Sequence, residues 1–175
     1  MFEYYLMISK CWCNFPWIIT QDKLLPIIHG GNHERGLRSG TLNVPGILYP
    51  TIQSAINAAV NGDTVLVQPG TYYETIDFLG KEITIVSSGG ASVTTIDANQ
   101  KDTVVYFWNN ETSDSILDGF TLTNGIGYFE PFYEQRLGGG VFIYQSYPTI
   151  RNCTLVNNST DSYGGAVYSD FAHID

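Results

Sequence analysis

The sequence predicts an all-β chain wound as a solenoid from about residue 48 and entered through one short helix. Three observations carry that prediction. Only 14% of the residues are charged while there are 18 Gly and 12 Tyr, a composition short of the residues of surface helices and suited to strands and tight turns. From Tyr49 onward, short apolar runs follow one another between Gly, Asn and Asp turns, with no long helix among them. Two different pieces of text then recur in the same order at offsets of 33 and 26 residues, periods expected of stacked-coil architectures.

The helix is read over residues 51 to 60. Thr51 is the candidate N-cap and Asn61-Gly62 the stop, while Ile52, Ala55, Ile56, Ala59 and Val60 recur at the spacing of one helical face. Strands are predicted at Thr64 to Gln68, Ile83 to Ser87, Thr94 to Ile96, Val104 to Trp108, Ile116 to Thr123, Val141 to Tyr144, Thr149 to Val156 and Ala166 to Tyr168.

The repeats distinguish a solenoid from a sandwich. Ile116 to Asn124 aligns with Thr149 to Asn157, and Gly138 to Phe142 aligns with Gly164 to Tyr168. In a solenoid each coil lays its strands on the one below, so that inward side chains form an apolar column and Gly and Asn take the corners. The inward candidates are Val65, Val67, Ile83, Ile85, Val105, Phe107, Phe120, Leu122, Ile150, Leu155 and Val167. Four or five coils fit this length. An open end needs a cover, and the helix at 51 to 60 has the form of one; residues 48–175 are expected to be truncated at the C-terminal end.

The organisation so predicted is an unassigned apolar leader at 1–23, a fragment of other origin at 24–47 and the solenoid at 48–175, with about the first 47 residues irregular. Residues 1–47 carry four basic and three acidic side chains, whereas 48–175 carry four basic against 14 acidic. An acidic body repels phosphate backbones, which argues against nucleic acid as a partner. The opening residues are interrupted by Glu3, Lys10, Asn14 and Pro16, so they form no membrane span and no recognisable signal peptide. Cys11, Cys13 and Cys153 set no disulfide framework, and no second pair stands at a ligand spacing, so no metal site is expected.

The run Tyr49-Pro-Thr-Ile-Gln-Ser-Ala-Ile-Asn-Ala-Ala, with Gly62-Asp-Thr-Val-Leu-Val-Gln-Pro-Gly-Thr-Tyr-Tyr-Glu74, Asp118-Gly-Phe-Thr and the Gly-Gly repeats, resembles right-handed parallel β-helix proteins of the pectin-lyase-like kind and pectinesterases. The resemblance implies an extracellular or cell-surface place and contact with polysaccharide. It implies no enzyme: no segment matches a catalytic motif of either group, and Asp97, Asp118, Arg136 and Arg151 are the residues that could converge on one face. The leading expectation is a non-catalytic module, carbohydrate-contacting or structural; the alternative is a fragment of a polysaccharide lyase or esterase.

Flat aromatic faces pack on sugar rings, which makes Tyr72, Tyr73, Trp108, Tyr128, Phe129, Phe132 and Tyr133 candidates for a sugar platform. The insertion from Gly125 to Leu137 is the favoured place, so Tyr128, Phe129, Phe132, Tyr133 and Arg136 are the carbohydrate-contact residues expected there. The competing reading has these rings folded over the coils as a hydrophobic cover. Four glycosylation triplets, at Asn110, Asn152, Asn157 and Asn158, are expected by chance in Asn-rich corners.

A second resemblance lies upstream. Leu24 to Gly46, with His29-Gly-Gly-Asn-His33 and Arg38-Ser-Gly-Thr41, is similar to a signature of cysteine desulfurases, with Asn32 where a glycine is usual. It implies that Thr41 would bind the phosphate of pyridoxal phosphate. The lysine Schiff base that this cofactor needs has no matching context at Lys10, Lys23, Lys81 or Lys101, so no cofactor and no desulfurase activity are expected.

Overall fold

The chain divides into two units, Met1–Glu34 and Arg35–Asp175. A computed structural model describes residues 39–170, all within the second. Fifteen strands and one helix follow one another there: β1 (Thr41–Val44), α1 (Ile52–Ala58), β2 (Thr64–Val67), β3 (Gly70–Tyr72), β4 (Ile76–Asp77), β5 (Thr84–Ser87), β6 (Thr94–Asp97), β7 (Val105–Phe107), β8 (Ile116–Asp118), β9 (Thr121–Thr123), β10 (Tyr128–Glu130), β11 (Gln135–Leu137), β12 (Val141–Tyr144), β13 (Thr149–Arg151), β14 (Thr154–Val156) and β15 (Val167–Asp170).

All but β10 and β11 belong to three parallel sheets, in the orders β1-β2-β5-β8-β13, β3-β6-β9-β14 and β4-β7-β12-β15. From β2 onward the chain therefore visits the first, second and third sheet in strict rotation, completing four circuits among the described residues. The sequence repeats are the register itself. Leu122 pairs with Leu155, Ile116 with Thr149 and Val141 with Val167.

Alternation along each strand sends every second side chain inward. Val65, Ile85 and Leu117 are register partners in the first sheet and fully buried; Ile96 and Leu122 match them in the second, Ile76, Val105 and Val141 in the third. One apolar cluster joins these columns. The corners need left-handed backbone, which Gly119 (φ 83°), Asn124 (57°), Asn152 (53°) and Asn157 (57°) supply. Circuits pass so closely at Gly139 that an added Cβ would lie 2.4 Å from the carbonyl oxygen of Gly165.

Helix α1 forms because Thr51 and Ser54 make a reciprocal capping box, and it lies against β1, β2 and β4. Ile52, Ala55, Ile56 and Ala59 are buried, and each Ile contributes about 1.5–3 kcal/mol on that account. Polar bonds fix its position. The Glu74 carboxylate accepts the N–H groups of Ile52 and Gln53, both at 2.9 Å. Lys81 Nζ donates to the carbonyls of Ile56, Asn57 and Ala59 at 2.6, 3.0 and 2.8 Å, and burial pulls this amine below the usual lysine range. The Gln53 amide pairs with the backbone N–H and carbonyl of Asp77 at 2.8 and 3.2 Å, so a side chain satisfies edge strand β4.

Several expectations are corrected. The irregular stretch does not reach residue 47: Thr41–Val44 is a strand paired with β2, because Leu42 and Val44 alternate inward beside Val65 and Val67. The residues predicted as single strands over 116–123 and 149–156 each bend at a left-handed corner, Gly119 or Asn152, into two strands in different sheets. Val60 points away from the helix stripe and is 59% exposed. Val167 keeps the inward register but is 44% exposed, since β15 is an edge strand.

Candidate binding cleft

The outer face of the third sheet is aromatic. The residue following the inward valine in three successive circuits is Tyr106, Phe142 and Tyr168, and these are register partners. The rings of Phe142 and Tyr168 stack at 5.5 Å and 15°, and Tyr106 lies 6.0 Å from Phe142. Two residues further along, Trp108 packs on Tyr106 with ring centres 4.8 Å apart.

The insertion at 125–137 folds over this wall as the antiparallel hairpin β10–β11, with Tyr128 opposite Leu137, Phe129 opposite Arg136 and Glu130 opposite Gln135. Its alternation divides the side chains. Tyr128, Glu130, Gln135 and Leu137 face the wall, and Tyr128 contacts Tyr106, Trp108 and Phe142 at 6.3, 5.6 and 5.1 Å. Between hairpin and sheet opens a cleft of about 840 Å³, completed by Phe132 and Tyr133 at the hairpin tip and by Tyr144, Tyr163 and Asp170.

The polar groups here are held in place. Tyr106 Oη donates to Asp102 at 2.6 Å, and burial, reinforced by that carboxylate, raises its phenol far above the ordinary range, so it stays neutral. Burial, followed by the charge of Glu130, raises Tyr128; burial, followed by Asp170, raises Tyr168. Trp108 Nε1 donates to Asp77 at 2.8 Å. Glu130 accepts the Phe132 N–H at 3.0 Å, and Tyr168 Oη donates to Asp170 at 3.3 Å. These groups offer flat apolar faces, phenol hydroxyls and two carboxylates.

Of the residues expected to contact sugar, Tyr128, Phe132 and Tyr133 line the cleft. Phe129 and Arg136 do not: they occupy the hairpin's other face, where the Arg136 guanidinium sits 5.7 Å from the Phe129 ring centre and donates to the Gly127 carbonyl at 2.8 Å. Arg136 braces the hairpin. Trp108 lies in the cleft, whereas Tyr72 belongs to the second sheet and donates its hydroxyl to the Gln68 carbonyl. The sequence reading missed Phe142, Tyr144, Tyr163 and Tyr168. The signal for two of them was present in the pairs Val105-Tyr106, Val141-Phe142 and Val167-Tyr168, which repeat an inward aliphatic and an outward ring.

Asp97, Asp118, Arg136 and Arg151 do not converge. Asp97 lies in the second sheet and binds the Asn124 amide, Asp118 and Arg151 pair at 2.9 Å in the first, and Arg136 is in the hairpin. The Asn158 side chain is bonded to the backbone of Gly125 and Leu122. Thr41 is exposed at the start of β1, and the neighbouring Gly40 N–H donates to the Asp63 carboxylate. A carboxylate therefore stands beside Thr41, and Lys81 donates to the carbonyls at the end of the helix. Residues 24–38 of the desulfurase-like signature, and Cys11 and Cys13, lie outside the described residues. Among the described residues no three metal-binding side chains converge, and no helix is long and apolar enough to cross a membrane.

Neither family models nor characterised proteins nor solved structures match this chain.

Proposed function

We propose that residues 41–170 belong to a right-handed parallel β-helix module of an extracellular or cell-surface protein, which contacts carbohydrate through the aromatic cleft without catalysing a reaction. Supporting the fold is the rotation of strands through three parallel sheets, with stacked partners 20 to 36 residues apart, a spacing suited to solenoid coils. Parallel crossovers are right-handed in nearly all proteins. The resemblance at Tyr49 to Glu74 supplies the family and the surface placement.

One observation carries the functional reading: aromatic rings on two facing elements line a cleft of about 840 Å³, with carboxylates between them. Sugar rings present apolar faces that stack on such side chains and hydroxyls that donate to carboxylates. Asp97 and Arg136 stand apart from the Asp118–Arg151 pair, and none of the four lines the cleft, which favours binding over catalysis.

The test is a glycan array probed with the full chain, followed by calorimetric titration of the best ligand into the wild type and Trp108→Ala. Removing one stacking ring is expected to weaken binding roughly three- to tenfold while the circular dichroism spectrum is kept. A folded Trp108→Ala variant with undiminished affinity, or no glycan bound at all, would refute the reading.

A further inference from the structure

We infer that the cleft selects glycans built of protonated amino sugars over neutral glycans and over polyuronates. This rests on the carbohydrate reading above and adds the ligand's charge to it.

The charge of the lining points one way. Glu130 enters from the hairpin and Asp170 from the sheet, and no basic side chain lines the cleft among the described residues. The one arginine of the hairpin is on its far face, donating to Gly127 and lying over Phe129. Register decides this: a residue directly opposite Phe129 cannot share a face with Tyr128 and Glu130. The raised phenols of Tyr128 and Tyr168 remain neutral, so they add no repulsion toward an anion and no attraction beyond a hydrogen bond.

The aromatic walls point the same way. A ring face carries the negative end of its quadrupole and attracts an ammonium group. Trp108 meets the rings of Tyr128 and Phe142 at 74° and 86°, and all three line the cleft, so its aromatic surface does not lie in a single plane. A neutral sugar gains stacking and hydroxyl hydrogen bonds, and an amino sugar adds to these the attraction of its ammonium group to ring faces and to two carboxylates. A uronate brings its charge against Glu130 and Asp170 within a segment of four basic and 14 acidic side chains.

The experiment uses the full chain and three oligosaccharides of equal length, of glucosamine, of N-acetylglucosamine and of galacturonic acid. Each is titrated calorimetrically at about pH 5.5, where amino sugars are charged and ordinary carboxylates are ionised. The glucosamine oligomer is expected to bind roughly three- to tenfold tighter than its acetylated counterpart, the margin that two partly exposed ion pairs supply, and the uronate least of all. Raising the salt to about 0.5 M should narrow that margin. The double substitution Glu130→Gln, Asp170→Asn should abolish the difference between the charged and the acetylated oligomer.

Equal affinity for the charged and acetylated oligomers, or preference for the uronate, overturns this inference and leaves the carbohydrate reading standing. Binding of none of the three, together with an empty array, removes both. The salt dependence of the wild type decides the matter even where the double variant does not fold.

Discussion

The two faces of the sheet β4-β7-β12-β15 are built by the same strands and do different things. Its inner face carries Ile76, Val105 and Val141, each fully buried, with Phe78 and Phe107 packed at 4.4 Å behind them. Its outer face carries Asp77, Tyr106, Phe142 and Tyr168, in register with one another and covered in part by a hairpin. A solenoid needs apolar residues on one side only. In the reading proposed above, the rings repeated on the other side are more than the coils require and form the wall of a carbohydrate cleft.

Substituting a phenylalanine of the inner face and one of the hairpin that covers the outer face tests this difference most severely. Phe107→Ala opens a cavity beside Phe78 and should cost about 3–5 kcal/mol, enough to unfold a marginal domain. Phe132→Ala removes a ring that is 82% exposed at the hairpin tip and should change stability by less than about 0.5 kcal/mol. Urea unfolding followed by circular dichroism measures both, and similar losses for the two would erase the distinction.

The inner face was far easier to read from the sequence than the outer one. Register in stacked circuits is an offset along the chain, so text repeated at 33 and 26 residues located Leu122 on Leu155 and Val141 on Val167 without any knowledge of the third dimension. Strands of two or three residues such as Ile76–Asp77 and Gly70–Tyr72 have too few positions to display a period, so their pairing was invisible. Strand β1 was hidden differently, since Thr41–Val44 falls inside the desulfurase-like signature and was assigned with it. Half of the cleft was legible because an aromatic insertion stands out in composition. Which of its residues face the sheet depends on hairpin register, and that is why Phe129 and Arg136 were grouped with Tyr128.

Polar residues can be as structural as the inner face, and the helix-covered end supplies the case. Lys81→Met keeps the aliphatic stem and removes three hydrogen bonds to the last carbonyls of α1. A loss of about 1–3 kcal/mol is expected, the penalty for leaving such acceptors unpaired. Thermal unfolding should register it, whereas affinity for any cleft ligand should be unaltered. Unchanged stability would mean that water replaces the ammonium group without penalty.

The smallest effect concerns a residue that faces outward and yet is not free. Asp118 is bonded to the Asn152 amide at 2.8 Å and to Arg151 at 2.9 Å. The Asn152 bond is the main cause that lowers its carboxyl below the ordinary 3.8, Arg151 adds to it, and partial burial opposes both. A carboxyl with a lowered folded value contributes stability that is fully present above its unfolded value and is lost as pH falls through the folded one. Asp118→Asn should therefore cost up to about 1 kcal/mol at about pH 6, the scale of a partly exposed ion pair. That deficit should shrink below about pH 3.8, where the wild type begins to lose the same interaction. Urea midpoints for both proteins at the two pH values measure it; a deficit that does not depend on pH would assign the loss to packing at the corner, and Asp118 would then count with the structural residues of the inner face.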